Sequence, residues 1–306
     1  MAANTVSAQD ILFYIAHSND KTISEFVSTG GSTTVVSARG IRRDPHIDYT
    51  YALARVAGKG IRSISAWDPS SEQITVGSAF SSIVNAGEVI EIAGWDARER
   101  RLMFNCANIA IRAAFPFWWR ETVVEAAAST LALLANTNSY SLPTDVSALL
   151  EIGVQANANS PVRWLGKVSE APGWFFVEGQ EGAFTIRFAP RYSREGGFHQ
   201  VYAGKNLCTK YAVREAELTD ESSTTQLPLA YFVVASAAFK MLYLGEDPEE
   251  AEPQARASLD MQQYALLAQM AQTELQKLMI AKVPPNPYVA PQQQSQESPS
   301  KKGRGE

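Results

Sequence analysis

The sequence predicts an α+β fold: an antiparallel helical-bundle body, closed by a long C-terminal helix, with two inserted antiparallel β regions. Three observations lead there. Four segments repeat apolar residues at helical spacing, two blocks between them alternate apolar and polar residues, and the order is helix, strands, helix, strands, helix, long helix. The expected domains are a helical body from 1–29, 95–120 and 226–282, an inserted β module over 30–94, and a second β domain over 121–214. The remaining 283–306 reads as a tail, disordered when alone and able to order on a partner.

The first helix is short, with Ser7 as its cap and Ile11, Leu12, Tyr14 and Ile15 as its apolar side. Strands follow in "TTVVSA", "IRSISAW", "QITV" and "GEVIEIAG", the middle two joined by a turn at Asp68-Pro69-Ser70-Ser71. The second helix starts at Asp96 with Glu99 three residues on, as in a capping box. Leu102, Cys106, Ile109 and Ala113 make one row, Met103, Ala110 and Ala114 another, and Pro116 ends it before Phe117-Trp118-Trp119.

In the second β region Phe184, Ile186 and Phe188 alternate with polar or small residues, and "GWFFVEG", "GFHQVYAG" and "NLCTKYAV" read as further strands. Pro228 opens a third helix to about Leu244, apolar on nearly every side and therefore surrounded, with Lys240 as its interruption. Its length approaches that of a membrane span, but Pro228, Lys240 and the acidic "GEDPEEAE" after it favour a buried helix and no membrane. The fourth helix starts near Asp247-Pro248 or Pro253 and runs to about Ala281, roughly 40–50 Å long. Tyr264, Leu267, Ala271, Leu275 and Leu278 form its stripe. Beyond Lys282, Val283, Pro284, Pro285, Asn286, Pro287, Tyr288 and Val289 form the piece suited to docking on a partner in an extended form.

Composition narrows the function. With 45% hydrophobic and 19% charged residues the chain is globular, and a net charge of −5 gives it no overall basic footprint for phosphates. Cys106 and Cys208 are far apart, outside any metal-ligand spacing, and read as buried thiols. "MAANTVSAQDILFY" has neither the basic nor the apolar region of a signal peptide.

Chemistry is hard to find. Three histidines are present, His17, His46 and His199, and no nucleophile elbow, P-loop, HExxH or dinucleotide fingerprint accompanies them. Asp44-x-His46-x-Asp48 has a spacing that can hold a metal, but a polar turn is the simpler reading. The carboxylate pairs Asp220-Glu221 and Glu249-Glu250 fall where loops and helix starts favour acids. The chain is expected to be no enzyme and to need no cofactor or metal. The Trp118–Trp119 cluster reads as packing between a helix and the sheet it enters, rather than as a stacking platform.

The ordered set Phe115-Pro116-Phe117-Trp118, Tyr140-Ser-Leu-Pro-Thr-Asp145 with the apolar Val146–Val154, Phe184-Thr-Ile-Arg-Phe-Ala-Pro190, Leu218-Thr-Asp-Glu221 and Leu227-Pro-Leu-Ala-Tyr231 resembles the head-to-tail adaptor, or neck, proteins of tailed bacteriophages. The resemblance covers about 96–281. It implies that Leu142, Pro143 and Asp145, Leu227 and Pro228, and Trp118 and Trp119 are structural joints. A proline there ends a strand, and Asp145 satisfies free amides of its turn. It further implies a ring of about a dozen copies on the portal vertex, closed through heterologous surfaces. The implied partners are the portal protein and a downstream tail or nozzle protein, with DNA passing through the channel unheld. The implied location is the virion neck, after synthesis in the host cytoplasm. The first β region is additional to a minimal helical adaptor, which leaves open a nozzle-like tail component or a glycan- or receptor-binding tail module.

Overall fold

A computed structural model describes residues 5–38, 41, 48–94, 97–124, 131–157, 159–167, 174–180, 183–190, 196–243 and 261–282. The chain divides into two compact units: Met1–Trp119 together with Glu215–Pro284, and Arg120–Arg214.

In the first unit, strand β1 (Val6–Ser7) leads into helix α1 (Ala8–His17), where the Ser7 hydroxyl accepts from the Asp10 amide and caps the first turn. Then come β2 (Thr22–Thr29), β3 (Val35–Ala38), β4 (Leu53–Val56), β5 (Gly60–Asp68), β6 (Gln73–Val76) and β7 (Val89–Ala93). They close into an antiparallel barrel in the order β2-β3-β6-β5-β4-β7, filled by Val27, Val36, Tyr49, Ile64, Ile74, Ile90 and Ile92. Closure leaves no free sheet edge. Helix α2 (Ala97–Ala114) follows and buries Met103, Cys106, Ile109 and Ala110.

This overturns the expected helical-bundle body. Among the described residues there are fifteen strands and five helices, one a single turn, and a closed barrel stands where an inserted module was expected. The barrel draws in Thr22–Thr29, which the sequence reading placed with the helices. In β2 an exposed Phe26 sits beside the buried Val27, which blurs the period of two. In strand β4, Ala54 and Val56 point into the barrel, Leu53 joins the helices' core together with Ala93 of β7, and Arg55 is partly exposed.

The β5–β6 turn is tied by Asp68. Its carboxylate accepts from the Ser70 amide (2.9 Å), the Ser70 hydroxyl (2.6 Å) and the Ser71 hydroxyl (2.6 Å). These bonds hold its pKa down, from 3.8 to about 2. A depressed carboxylate adds stability that is whole above its unfolded value and is lost as pH falls through its folded one. Side-chain carboxyl NMR is therefore expected to show the Asp68 midpoint at about 2, with the turn loosening between 3.8 and that value. A midpoint at the ordinary carboxylate value refutes the turn's charge-assisted bonding.

The second unit holds β8 (Arg120–Val124), β9 (Ser139–Ser141), β10 (Ala148–Gln155), β11 (Arg163–Lys167), β12 (Phe175–Glu178), β13 (Thr185–Phe188), the helical turn α3 (Phe198–Val201) and β14 (Asn206–Val213). They form a four-stranded sheet, β11-β10-β14-β8, and a three-stranded sheet, β12-β13-β9, all antiparallel. Their core contains Ile152, Phe175, Ile186, Phe188, Phe198 and Leu207. Phe198 lies between Trp174 (4.7 Å between centroids, 15°) and Phe188 (4.4 Å, 19°). "GFHQVYAG", expected as a strand, is helical at Phe198–Val201. One turn brings Phe198 and Tyr202 onto the same face, and both join the core.

The first unit resumes at Glu215. Asn108 of α2 clamps the returning chain, donating to the Leu218 carbonyl (3.0 Å) and accepting from its amide (2.8 Å). Strand β15 (Thr224–Thr225) then pairs with β1. Pro228 precedes a 3-10 turn, Leu229–Phe232, and α4 begins only at Val233, ending at Tyr243. The buried Tyr231 hydroxyl donates to the Ala110 carbonyl of α2 (2.6 Å). Helix α5 (Met261–Lys277) buries Leu267, Ala271 and Leu275. The expected start near Asp247 or Pro253 lies outside the described residues, and the described part spans about 25 Å at ~1.5 Å per residue.

Candidate partner-binding surfaces

The residues considered for catalysis are dispersed. His17 is exposed in the last turn of α1, its ring stacked 6.4 Å from that of Phe13. His199 is buried in α3, not on a strand as expected, while Asp44, His46 and the pair Glu249-Glu250 lie outside the described residues. Asp48 caps the turn Tyr49–Tyr51. Of the acidic pair, Asp220 accepts from Ser222 and Ser223, which hold its carboxyl below the usual range, and Glu221 is paired with Arg100. Burial pushes the Cys106 thiol up to about 12, so it is no nucleophile at neutral pH. Among the described residues no group of three His, Cys, Asp or Glu side chains is placed to hold a metal, and no helix is long and apolar enough to cross a membrane.

The joints sit at changes of direction. Leu142 is buried in the second unit, and its amide donates to the Phe184 carbonyl (2.8 Å). Past Pro143 the chain leaves β9 in the three-stranded sheet and enters β10 in the four-stranded one. Asp145 does not bond the turn amides: it accepts from the Tyr211 hydroxyl of β14 (3.3 Å), and the Val146 amide goes to the Pro143 carbonyl (3.3 Å). Burial, then the nearby Asp145 charge, raises the Tyr211 pKa. At the second joint, Leu227 is fully buried among the helices and Pro228 turns a strand into a helical segment.

Trp118 and Trp119 form the third joint, at the end of α2. Lys282, the last residue before the Pro-rich segment, is held against them. Its ammonium lies 5.2 Å from the Trp118 ring centre and 5.0 Å from that of Trp119, and donates to the Trp119 carbonyl. Its amide donates to the Phe117 carbonyl (2.7 Å). The exit point of Val283–Val289 is thereby fixed on the Phe115–Trp119 corner. No pattern in the sequence marks Lys282 for this role.

A cleft of about 290 Å³ lies between α1 and the β4–β5 hairpin, and Phe13 in it is nearly fully buried. Phe13, Tyr14 and His17 line one wall, and Arg55, Gly58 and Ile61 the other. The Arg55 guanidinium sits 5.3 Å from the Phe13 ring centre and 3.4 Å from Glu91. Gly58 has φ +73°, and a side chain there would meet no atom within 4 Å, so the hairpin backbone is open to an approaching ligand. Exposed apolar side chains occur elsewhere too, including the Phe26–Val89 pair across β2 and β7 and Tyr264 and Leu266 on α5.

The polar tie within this unit was not legible in sequence. Arg100 of α2 donates to the Tyr51 carbonyl and pairs with Glu221, while Gln9 of α1 donates to Ser63 of β5 (3.0 Å) and to Glu221 (3.3 Å). No protein-family model matches the chain, and no curated protein matches it.

Proposed function

We propose that this chain is a structural protein of the tailed-bacteriophage neck, a head-to-tail adaptor that forms a ring on the portal vertex and seats the tail. The observation that carries the reading is the Lys282 clamp. It delivers the Pro/Tyr/Val segment from the Phe115-Pro116-Phe117-Trp118 corner, one of the motifs on which the resemblance rests. A segment of this composition can order on a partner, and ordering there makes assembly sequential. The dispersed histidines and engaged carboxylates are compatible with a structural role. The net charge of −5 suits a channel through which DNA slides without being held.

The test is the mass of the purified chain alone and after mixing with the portal protein of the same virus. A ring of many copies on the portal is expected, and removal of 283–306 is expected to abolish attachment. A chain that ignores the portal sinks the adaptor reading. The six-stranded barrel, which a minimal helical adaptor lacks, favours a second reading: a nozzle-like component further down the tail. That reading predicts assembly with downstream tail proteins in the same mixing experiment.

A further inference from the structure

We infer that the loop end of the six-stranded barrel receives the first part of α5, residues 261–273, from a second copy of this chain. The inference rests on the ring reading above for its closure and deepens it by naming the contact between neighbouring copies.

Three connections meet at one end of the barrel: 30–34 between β2 and β3, 57–59 between β4 and β5, and 77–88 between β6 and β7. They are bonded to one another. The Gly31 amide donates to the Val84 carbonyl and the Val84 amide to that of Ser32 (both 2.9 Å), the Phe80 amide to Thr33 (2.8 Å) and the Ser81 amide to Lys59 (3.2 Å). The end is therefore one preformed surface. No charged residue occurs in 26–38 or in 73–87. The charges that adjoin them are engaged: Lys59 pairs with Glu88 at 2.6 Å, and Arg62 donates to the Ala79 carbonyl (2.7 Å). Yet Phe26 is 68% exposed there, and Val89 opposite it and Ile83 in the last loop are exposed too. Charge depletion together with exposed aromatic and aliphatic side chains is the composition of an interface core.

A partner that set a charge against this end would leave that charge desolvated and unpaired, so the partner has to be uncharged over a similar span. Residues 261–273 of α5 meet the condition: they contain no charged residue, Met261 is 90% exposed, and Tyr264 and Leu266 are exposed with it. These two surfaces hold six of the ten large exposed apolar side chains among the described residues, and the other four come singly from four other places in the chain. Gln262 and Gln269 are exposed on the same stretch of α5. Their primary amides both donate and accept, which suits the hydroxyls and backbone groups of the loops. At Gly31, Gly58 and Gly87 a side chain would meet no atom within 4 Å, so a helix can come close to the loop backbone. Barrel end and α5 are different parts of the chain. Their contact is heterologous, the kind that closes rings by rotation.

The experiment measures the mass of the full chain against concentration by sedimentation, with no portal present. The chain is expected to grow beyond two copies as concentration rises. One variant carries Phe26→Thr and Val89→Thr, and another carries Tyr264→Gln and Leu266→Gln. Each is expected to associate at least tenfold more weakly with its melting transition unchanged, because the replaced side chains are exposed. Mixed in equal amounts, the two variants are expected to bind each other with the unaltered chain's affinity and to stop at two copies, since each supplies the surface the other lacks. An unaltered chain that stays monomeric at millimolar concentration overturns the contact. Weakening by only one of the two variants shows a surface meeting its own like, and overturns the pairing. Variants that fail to bind each other overturn it as well. The portal plays no part in this measurement, so its failure and that of the portal-mixing test are separate results.

Discussion

Replacing Phe198 with alanine is expected to unfold the second unit while leaving the first intact. Phe198 is fully buried between Trp174 and Phe188 and also faces Tyr202 at 4.8 Å. Removing a buried phenylalanine costs about 3–5 kcal/mol, the transfer of its ring plus the cavity left behind. Here the ring links the three-stranded sheet, through Phe188 of β13, to the turn α3 that precedes β14 of the four-stranded sheet. Aromatic neighbours cannot collapse into the hole without losing their own stacking. A domain's whole stability is about 5–15 kcal/mol, so the loss is a large share of it. Calorimetry is expected to show one transition moving down by tens of degrees or disappearing, and a second holding its place. Hydrogen exchange assigns the moved transition to 120–214. A single transition that shifts as a whole refutes the independence of the two cores.

Arg100→Met is expected to loosen the barrel from the helices in the first unit. The guanidinium is largely buried, and burial by itself lowers its pKa, with Glu221 acting in the opposite sense. Substitution strands the Tyr51 carbonyl, removes a donor near Ser63 and leaves Glu221 without its cation. Water reaches both the Tyr51 carbonyl and Glu221, and Gln9 still donates to Glu221, so the cost is expected to be about 1 kcal/mol. The helices retain their apolar core, so the effect is expected to concentrate in the turn Tyr49–Tyr51 and in β5, read as faster amide exchange there. Arg100→Lys is expected to recover little, because one ammonium cannot reach the carbonyl and the carboxylate with a fork's geometry. Loss of protection spread evenly over α2, α4 and α5 contradicts this assignment.

How much of this was legible depends on the range of the interaction. Helix α1 could be read because its Ser7 cap and its apolar residues lie within a few positions of one another, and α2 for the same reason of local period. The Asp68 turn was legible because an aspartate followed by Pro-Ser-Ser bonds its own backbone. The barrel was not. Its strands β3, β4 and β6 are four residues long, bulges break the register between Val27 and Thr29 and between Ile64 and Ala66, and closure is set by β2 meeting β7 across more than sixty residues. Local pattern carries no information on such a pairing, and so the weight of the fold was assigned to the helices. The joint at Leu142-Pro143 could be read as a change of direction, whereas the Tyr211 partner of Asp145 lies 66 residues away. The cleft combines α1 with a hairpin that propensity places far from it.

The pairing of β1 with β15 has a consequence for how the chain is made. The barrel is complete once residue 93 has emerged, and the second unit once residue 214 has. Helices α1 and α2 must wait for Leu227, Tyr231, Phe239, Leu267 and Leu275 before their core closes. At ribosomal rates of about 5–20 residues per second, that leaves their apolar faces uncovered for on the order of ten seconds. A nascent chain therefore passes through a stage with two finished β bodies and a pair of sticky helices. During that interval neighbouring chains on one message compete with the chain's own C-terminal third for the same surface.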